Sequence, residues 1–211
     1  MRKNSKAAII DAAIYLFNTK GFNGTSVRDI AARADVNAAN ISYYFQNKNG
    51  LLENCFTVFF ESYLKELEQG FAFLEYGSEY CLNAMVGNVL RYQCENIQLT
   101  RFILREMTID SQVVREIMST YHVKERYMFK KVLETGIEKG EFKKHSVLYS
   151  ILQLKGLLQM PFLNTHYVTE VLHVLPHEKY FADKYSDEIS QWIKGTLCTD
   201  QQVHQKMLIN I

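Results

Sequence analysis

Helix starts are crowded into Thr25 to Leu52, TSVRDIAARADVNAANISYYFQNKNGLL, at a spacing that neither a long helix nor a run of strands accommodates. Thr25 or Ser26 can cap a helix whose Val27, Ile30 and Ala31 turn inward, since a side-chain oxygen there satisfies an amide with no partner inside the helix. Asp35 and Val36 make the next turn, Asn37 caps a helix over about Ala38 to Tyr44, and Asn47 or Lys48 opens another. Upstream, Ile10, Ala13, Ile14 and Phe17 recur at the 3, 4 spacing of one buried helix face, predicting a helix from about Ser5 to Lys20. Ser5 can cap its start, and Gly21 with Phe22 reads as a left-handed stop followed by its apolar contact.

The remainder of the chain reads the same way. Only 10 glycines and 2 prolines interrupt 211 residues, which favours helices over a turn-rich β fold. Hydrophobic residues at 47% support a packed core and exclude a disordered chain. The helix opened near Lys48 is expected to reach about Gln69. Further helices fit roughly 79–94, 97–107, 111–138, 146–160, 165–174 and 180–197, with Gly77, Gly140, Pro161 and Pro176 near the breaks. From Thr199 the pattern fades, and a fraying end is expected. The predicted class is all-α, with a three-helix head over residues 1–48 and a larger helical domain over 49–211.

Several kinds of chemistry are absent from the pattern. Cys55, Cys81, Cys94 and Cys198 form no C-x-x-C pair and sit among apolar helical residues, as reduced thiols of a cytoplasmic protein do. The histidines His122, His145, His166, His173, His177 and His204 lack the H-E-x-x-H spacing of a metal site. His173 and His177 are four apart, but Pro176 lies between them. No G-x-S-x-G, Gly-rich phosphate loop or Cys/His pair is present, so neither an enzyme nor a cofactor is expected. The start MRKNSKAAIIDAA turns polar at Asp11, unlike a signal peptide, and Lys155 interrupts the longest apolar run, Tyr149 to Leu163. No membrane span is expected, since one needs about 20 apolar residues.

Charge is unevenly distributed. Residues 1–50 carry seven bases and three acids, +4, whereas residues 51–211 carry 17 bases and 20 acids, −3. A basic head on a mildly acidic body suits a nucleic-acid-binding module. The short helix after Asn37 strengthens this reading. It offers Asn37, Ala38, Ala39, Asn40, Ser42 and Tyr43 on one side, with Ile41, Tyr44 and Phe45 as anchors. Asn40 can bond an adenine edge bidentately, Ala38 or Ala39 can touch a thymine methyl, and Tyr43 and Lys48 can reach phosphates. This is the composition of a helix-turn-helix that enters the major groove of double-stranded DNA.

The words AAIYLFNTKGFNGTSVRDIAARADVNAANISYYFQNKNGLL, with G-F-x-x-T-S-V-x-x-I-A followed by Y-Y-F-x-x-K-x-x-L-L, closely resemble the TetR family of bacterial DNA-binding regulators over Ile9 to Leu52. The resemblance implies an all-helical homodimer whose first three helices bind DNA and whose body dimerises and regulates. By matching positions it puts Ser26, Arg28, the segment Asn37 to Tyr43, and Lys48 on DNA. It also implies a four-helix bundle between protomers made by the last two long helices. Leu148, Ile151, Leu152 and Lys155 on one, with Tyr185, Ile189, Trp192 and Ile193 on the other, are the expected dimer contacts. A two-fold dimer would select a palindromic site.

Leu99 to Tyr121, LTRFILREMTIDSQVVREIMSTY, is dense in charge. A solvated face laced with local ion pairs explains such a pattern, and so does a docking surface, since arginines with apolar neighbours recur at interfaces. A narrower resemblance, through LTRF, TIDS, REIMSTY, ILQLK and LPHEKYF, is to a Bacillus member of the family that regulates the division protein FtsZ. It implies a factor that sits on chromosomal sites in the nucleoid and modulates the division ring, in connection with sporulation, with Arg101, Arg105, Glu106 and Arg115 as the partner-binding residues. The alternative is a metabolite-responsive transcriptional repressor with a small-molecule pocket lined by Tyr92, Phe102, Met107, Tyr121, Met128 and Phe129.

Overall fold

The computed structural model describes residues 5–109 and 111–199. Its helices are α1 (Ser5–Lys20), α2 (Val27–Ala34), α3 (Ala38–Phe45), α4 (Lys48–Phe71), α5 (Ser78–Glu95), α6 (Ile97–Ile109), α7 (Gln112–Glu138), α8 (Val147–Leu163) and α9 (Lys179–Thr196). A 3-10 turn, Ala72–Tyr76, links α4 to α5, and a π-helical turn, Tyr167–Val171, lies between α8 and α9. The fold is all-α. Among the described residues the extended pairing is one isolated antiparallel bridge, Phe142 to Cys198.

Packing divides the chain into two compact units. The first comprises the residues up to Ser62 together with Asn96–Met118, and the second comprises Tyr63–Glu95 and the described residues from Ser119 on. The first unit is larger than the 1–48 head because α6 packs on α1, and its Phe102 ring stacks on Phe17 with centroids 5.0 Å apart.

α1 is enclosed by α2, α3 and α6, and it buries Ile9, Ala12, Ala13, Leu16 and Phe17. Of the expected stripe, Ala13 and Phe17 are buried, whereas Ile10 and Ile14 are only half-buried. A helix with neighbours on several sides buries a wider arc than a single 3, 4 series marks. Gly21 adopts φ 75, its amide bonds the Phe17 carbonyl at 3.1 Å, and Phe22 lies 5.2 Å from Phe17, so the expected left-handed stop is present. Residues before Ser5, where a cap for α1 would lie, are outside the described residues.

In the second unit α5 lies along α9. Gly70 lets α4 approach α5 so closely that a Cβ there would stand 2.5 Å from the Met85 backbone. Ile189 and Ile193 of α9 are buried within the protomer, as is Phe181. Pro161, expected near a helix break, lies buried in the last turn of α8, two residues before its end at Leu163. Proline lacks an N–H, so the Leu157 carbonyl four residues back loses its helical donor. The Tyr185 hydroxyl donates to that carbonyl at 3.0 Å. The loop after α7 is tied to the end of α9 by Lys143 N–H to Leu197 O (2.7 Å) and Thr199 N–H to Glu141 O (3.0 Å). Thr199 is therefore held, and the segment beyond it, with His204, lies outside the described residues, as does Asp110.

Candidate DNA interface

α2 begins with a capping box. The Ser26 hydroxyl accepts from the Asp29 amide at 3.1 Å, and the Ser26 amide and hydroxyl donate to the Asp29 carboxylate at 2.9 and 2.7 Å. These bonds, with Lys20 at 3.7 Å, hold the Asp29 carboxyl below the usual range. Asp29 was not singled out from sequence, although the S-x-x-D spacing carries the signal. Thr25 is buried and donates to the Gly21 carbonyl at 2.8 Å. The Arg33 guanidinium lies over the Tyr15 ring, 3.3 Å from its centroid, bracing α2 on α1. Arg28 is exposed.

The turn to α3 uses Asp35 in the left-handed region (φ 53), with the Val36 amide on the Ala31 carbonyl at 3.1 Å. Asn37 then caps α3, its Oδ1 accepting from the Ala39 amide at 2.8 Å. Ile41 and Phe45 are buried and fix the helix to the head. Tyr44, expected as a third anchor, is instead 41% exposed and meets Tyr43 edge to face. The opposite side presents Ala39, Ser42 and Tyr43, the last 82% exposed, while Ala38 and Asn40 are half-buried. Lys48 does not extend into solvent. Its ammonium donates to the carbonyls of Phe22 and Thr25 at 3.0 Å each and lies 4.4 Å from the Phe22 ring centroid, tying the start of α4 to the loop before α2.

The expected partner-binding residues separate into two kinds. Arg105 donates to the Phe17 carbonyl at 2.6 Å and the Asn18 carbonyl at 3.4 Å, covering the C-terminal end of α1. Glu106 is buried beside it, at 4.0 Å, and that burial raises its carboxyl pKa despite the neighbouring guanidinium. Both belong to the framework of the first unit. Arg101 is half-buried and Arg115 exposed.

Lys155, expected at a dimer edge, points instead into the second unit. Its ammonium and the Tyr63 hydroxyl both meet Glu125 Oε1 at 2.5 Å, and His122 stands 3.9 Å from Oε2. Leu148 and Leu152 are exposed, whereas Ile151, Tyr185 and Trp192 are half-buried. Of the side chains expected around a ligand pocket, Phe102, Met128 and Phe129 are buried, and Tyr92, Met107 and Tyr121 are half-buried. Among the described residues, no cluster of three or more His, Cys, Asp and Glu is arranged to hold a metal ion, and no helix is long and apolar enough to cross a membrane.

Three short helices with a capped, anchored and outward-facing third one define a helix-turn-helix DNA-binding regulator. Residues 9–55 match the family model described as bacterial regulatory proteins, tetR family. The chain is 47% identical to the "Probable HTH-type transcriptional regulator YttP" of Bacillus subtilis (strain 168) over 200 residues, 94% of this chain and 97% of that relative. It belongs to the TetR family of bacterial regulators, which are transcription factors and not enzymes. The biofilm operon icaADBC negative regulator IcaR of Staphylococcus epidermidis is 34% identical over 71 residues, 32% of this chain and 38% of that protein. Among solved structures, the TetR-family regulator PfmR of Thermus thermophilus superposes with a TM-score of 0.75 at 17% identity, covering 89% of this chain and 97% of its own. The ketosteroid regulator KstR2 of Mycobacterium tuberculosis gives 0.74 at 14%, covering 94% and 97%. At such identities these two likenesses establish the fold alone.

Proposed function

We propose that a homodimer of this chain binds an imperfect palindrome, laying its two α3 helices in the major groove about one helical turn apart, and that the bound protein regulates FtsZ ring assembly. The observation that carries the DNA reading is the exposed side of α3 beside its buried anchors Ile41 and Phe45. Ala39 and Asn40 face base edges, Ala38 and Ser42 flank them, and Tyr43 and Arg28 meet phosphates. Ser26, Asn37 and Lys48 act mainly by placing α2, α3 and α4, since their polar atoms already serve the protein's own backbone.

The proposed dimer face is Leu148, Ile151 and Leu152 of α8 with Tyr185 and Trp192 of α9. Ile189, Ile193 and Lys155 drop out of it because the protomer itself encloses or pairs them. Fluorescence anisotropy on a palindromic chromosomal site and on random duplex, across a salt series, tests the DNA reading. Tighter binding to the palindrome that Tyr43→Ala or Asn40→Ala weakens supports it, and equal affinity for both duplexes overturns it.

The division role is supported by the likeness of LTRF, REIMSTY and LPHEKYF to RefZ, a Bacillus regulator of FtsZ. In this reading the protein is cytoplasmic and nucleoid-associated, and Arg101 and Arg115 face the partner. Sedimentation of FtsZ polymers with wild type and with Arg101→Ala/Arg115→Ala tests it. Polymer mass unchanged by wild type, with DNA or without, removes the division role and leaves DNA binding intact.

A further inference from the structure

The residue that joins α3 to α4 sits in a conformation few side chains adopt. Gln46 has φ 65 and ψ −55, where its Cβ is crowded by the following backbone. The Asn47 amide donates to the Phe45 carbonyl, two residues back, at 2.7 Å, and the Gln46 amide donates to Ser42 O at 2.9 Å. This is the rarer γ-turn, the one with positive φ, and a strained turn persists only where its surroundings hold it. Gln46 is exposed, so burial of its side chain does not offset that strain.

The chain is fixed on both sides of the turn. Before it, Ile41 and Phe45 are buried in the head. After it, Asn47 Oδ1 accepts from the Gly50 amide at 3.0 Å and closes the first turn of α4. The Lys48 ammonium ties that turn to the Phe22 and Thr25 carbonyls. The two helix ends also meet: a Cβ built on Gly50 would stand 2.1 Å from the Phe45 carbonyl oxygen, far inside van der Waals contact. Glycine at 50 and a left-handed residue at 46 are thus two conditions for one close junction.

We infer that Gln46 is a positioning residue for DNA reading: its left-handed backbone sets the direction in which α3 leaves α4, and so the angle at which Ala39 and Asn40 meet base edges. The inference rests on α3 being the helix that reads DNA. α3 is eight residues long, so a small tilt at its C-terminal end moves every side chain it presents. Short side chains reach base edges only from close range, whereas attraction to phosphates tolerates tilt. A relaxed junction therefore loses discrimination between sequences before it loses affinity for DNA.

Fluorescence anisotropy of the full chain on the palindromic site and on random duplex reads that discrimination as a ratio of affinities. Wild type, Gln46→Ala, Gln46→Gly, Gln46→Pro and Gly50→Ala are compared, and circular dichroism checks that each variant folds. Glycine adopts the left-handed conformation freely, and alanine at the same cost as glutamine, so both keep the wild-type ratio. Proline is confined to φ near −65, and Gln46→Pro lowers the ratio about tenfold or more, as losing a base contact does. Its affinity for random duplex and the salt slope of that affinity stay unchanged. Gly50→Ala leaves residue 46 untouched and produces the same selective loss, which keeps the test decisive if Gln46→Pro does not fold. A ratio lost as fully in Gln46→Ala as in Gln46→Pro makes the side chain a reader of DNA and overturns the inference. A wild-type ratio in folded Gln46→Pro or Gly50→Ala, with wild type itself discriminating, removes the inference alone. Equal affinity of wild type for the two duplexes removes the DNA reading and the inference with it.

Discussion

Glu125 keeps its charge where a lone carboxylate would lose it. Burial alone pushes the carboxyl up, but the Lys155 ammonium, the nearby His122 ring and hydrogen bonds from Lys155 and Tyr63 reverse that and bring it down to about 2, against 4.5 unperturbed. The sign follows from linkage: the stability this group contributes is complete above the unfolded value and drains away as pH falls towards 2. Urea unfolding of wild type is therefore expected to weaken steadily below about pH 4.5, and Glu125→Gln is expected to flatten that limb. Lys155→Met leaves a buried carboxylate without its cation and is expected to cost about 3 kcal/mol at pH 7. Two other side chains act through backbone groups. Asn37→Ala removes the cap of α3 and is expected to lower stability by about 1 kcal/mol, measured by thermal unfolding, and to weaken DNA binding with it. Arg105→Ala uncovers the last carbonyls of α1 and is expected to lower stability by about 1 kcal/mol. If Arg105→Ala instead unfolds like wild type, its bonds to Phe17 and Asn18 contribute nothing measurable.

Among the elements, the helix expected over 165–174 shrinks to the π-helical turn Tyr167–Val171, and α8 runs on through its proline to Leu163. Pro161 ends a helix in most sequences because nothing nearby replaces the missing donor. Here Tyr185 replaces it from α9, and no local pattern in α8 reveals a hydroxyl 28 residues away. Tyr185→Phe is expected to destabilise the protein by about 1 kcal/mol. The cost should shrink in a Pro161→Ala background, where an amide again serves Leu157, and a double-mutant cycle in urea reads that coupling. The short helices of the head were legible for the converse reason. Ser26, Asn37 and Gly21 act within four residues of themselves, so capping chemistry together with local apolar spacing located α1 to α3. Arg105 and Glu106 were read from a charge-dense stretch, and charge density does not say which carbonyls end nearby. Ile189 and Ile193 misled likewise: an apolar face on α9 looks the same whether α5 or another protomer covers it.

For the whole molecule, the basic head and the acidic remainder predict a salt-dependent regulator. Each phosphate contact contributes a slope of about −0.9 in log K against log salt. A dimer loses a contact in both half-sites at once, so Arg28→Ala is expected to make the slope shallower by about 2, read by anisotropy titrations between low and physiological salt. An unchanged slope would take Arg28 off the phosphate backbone.

The stacking of Phe102 on Phe17 also bears on how the protein is made. The bond from Arg105 to Phe17 spans 88 residues. At about 5–20 residues per second during synthesis, α1 waits roughly 4 to 18 s for α6 to arrive. Through that interval α1 has α2 and α3 beside it but not the Phe102 ring that stacks on Phe17. The side of Phe17 that Phe102 covers therefore stays open until the chain is about half made.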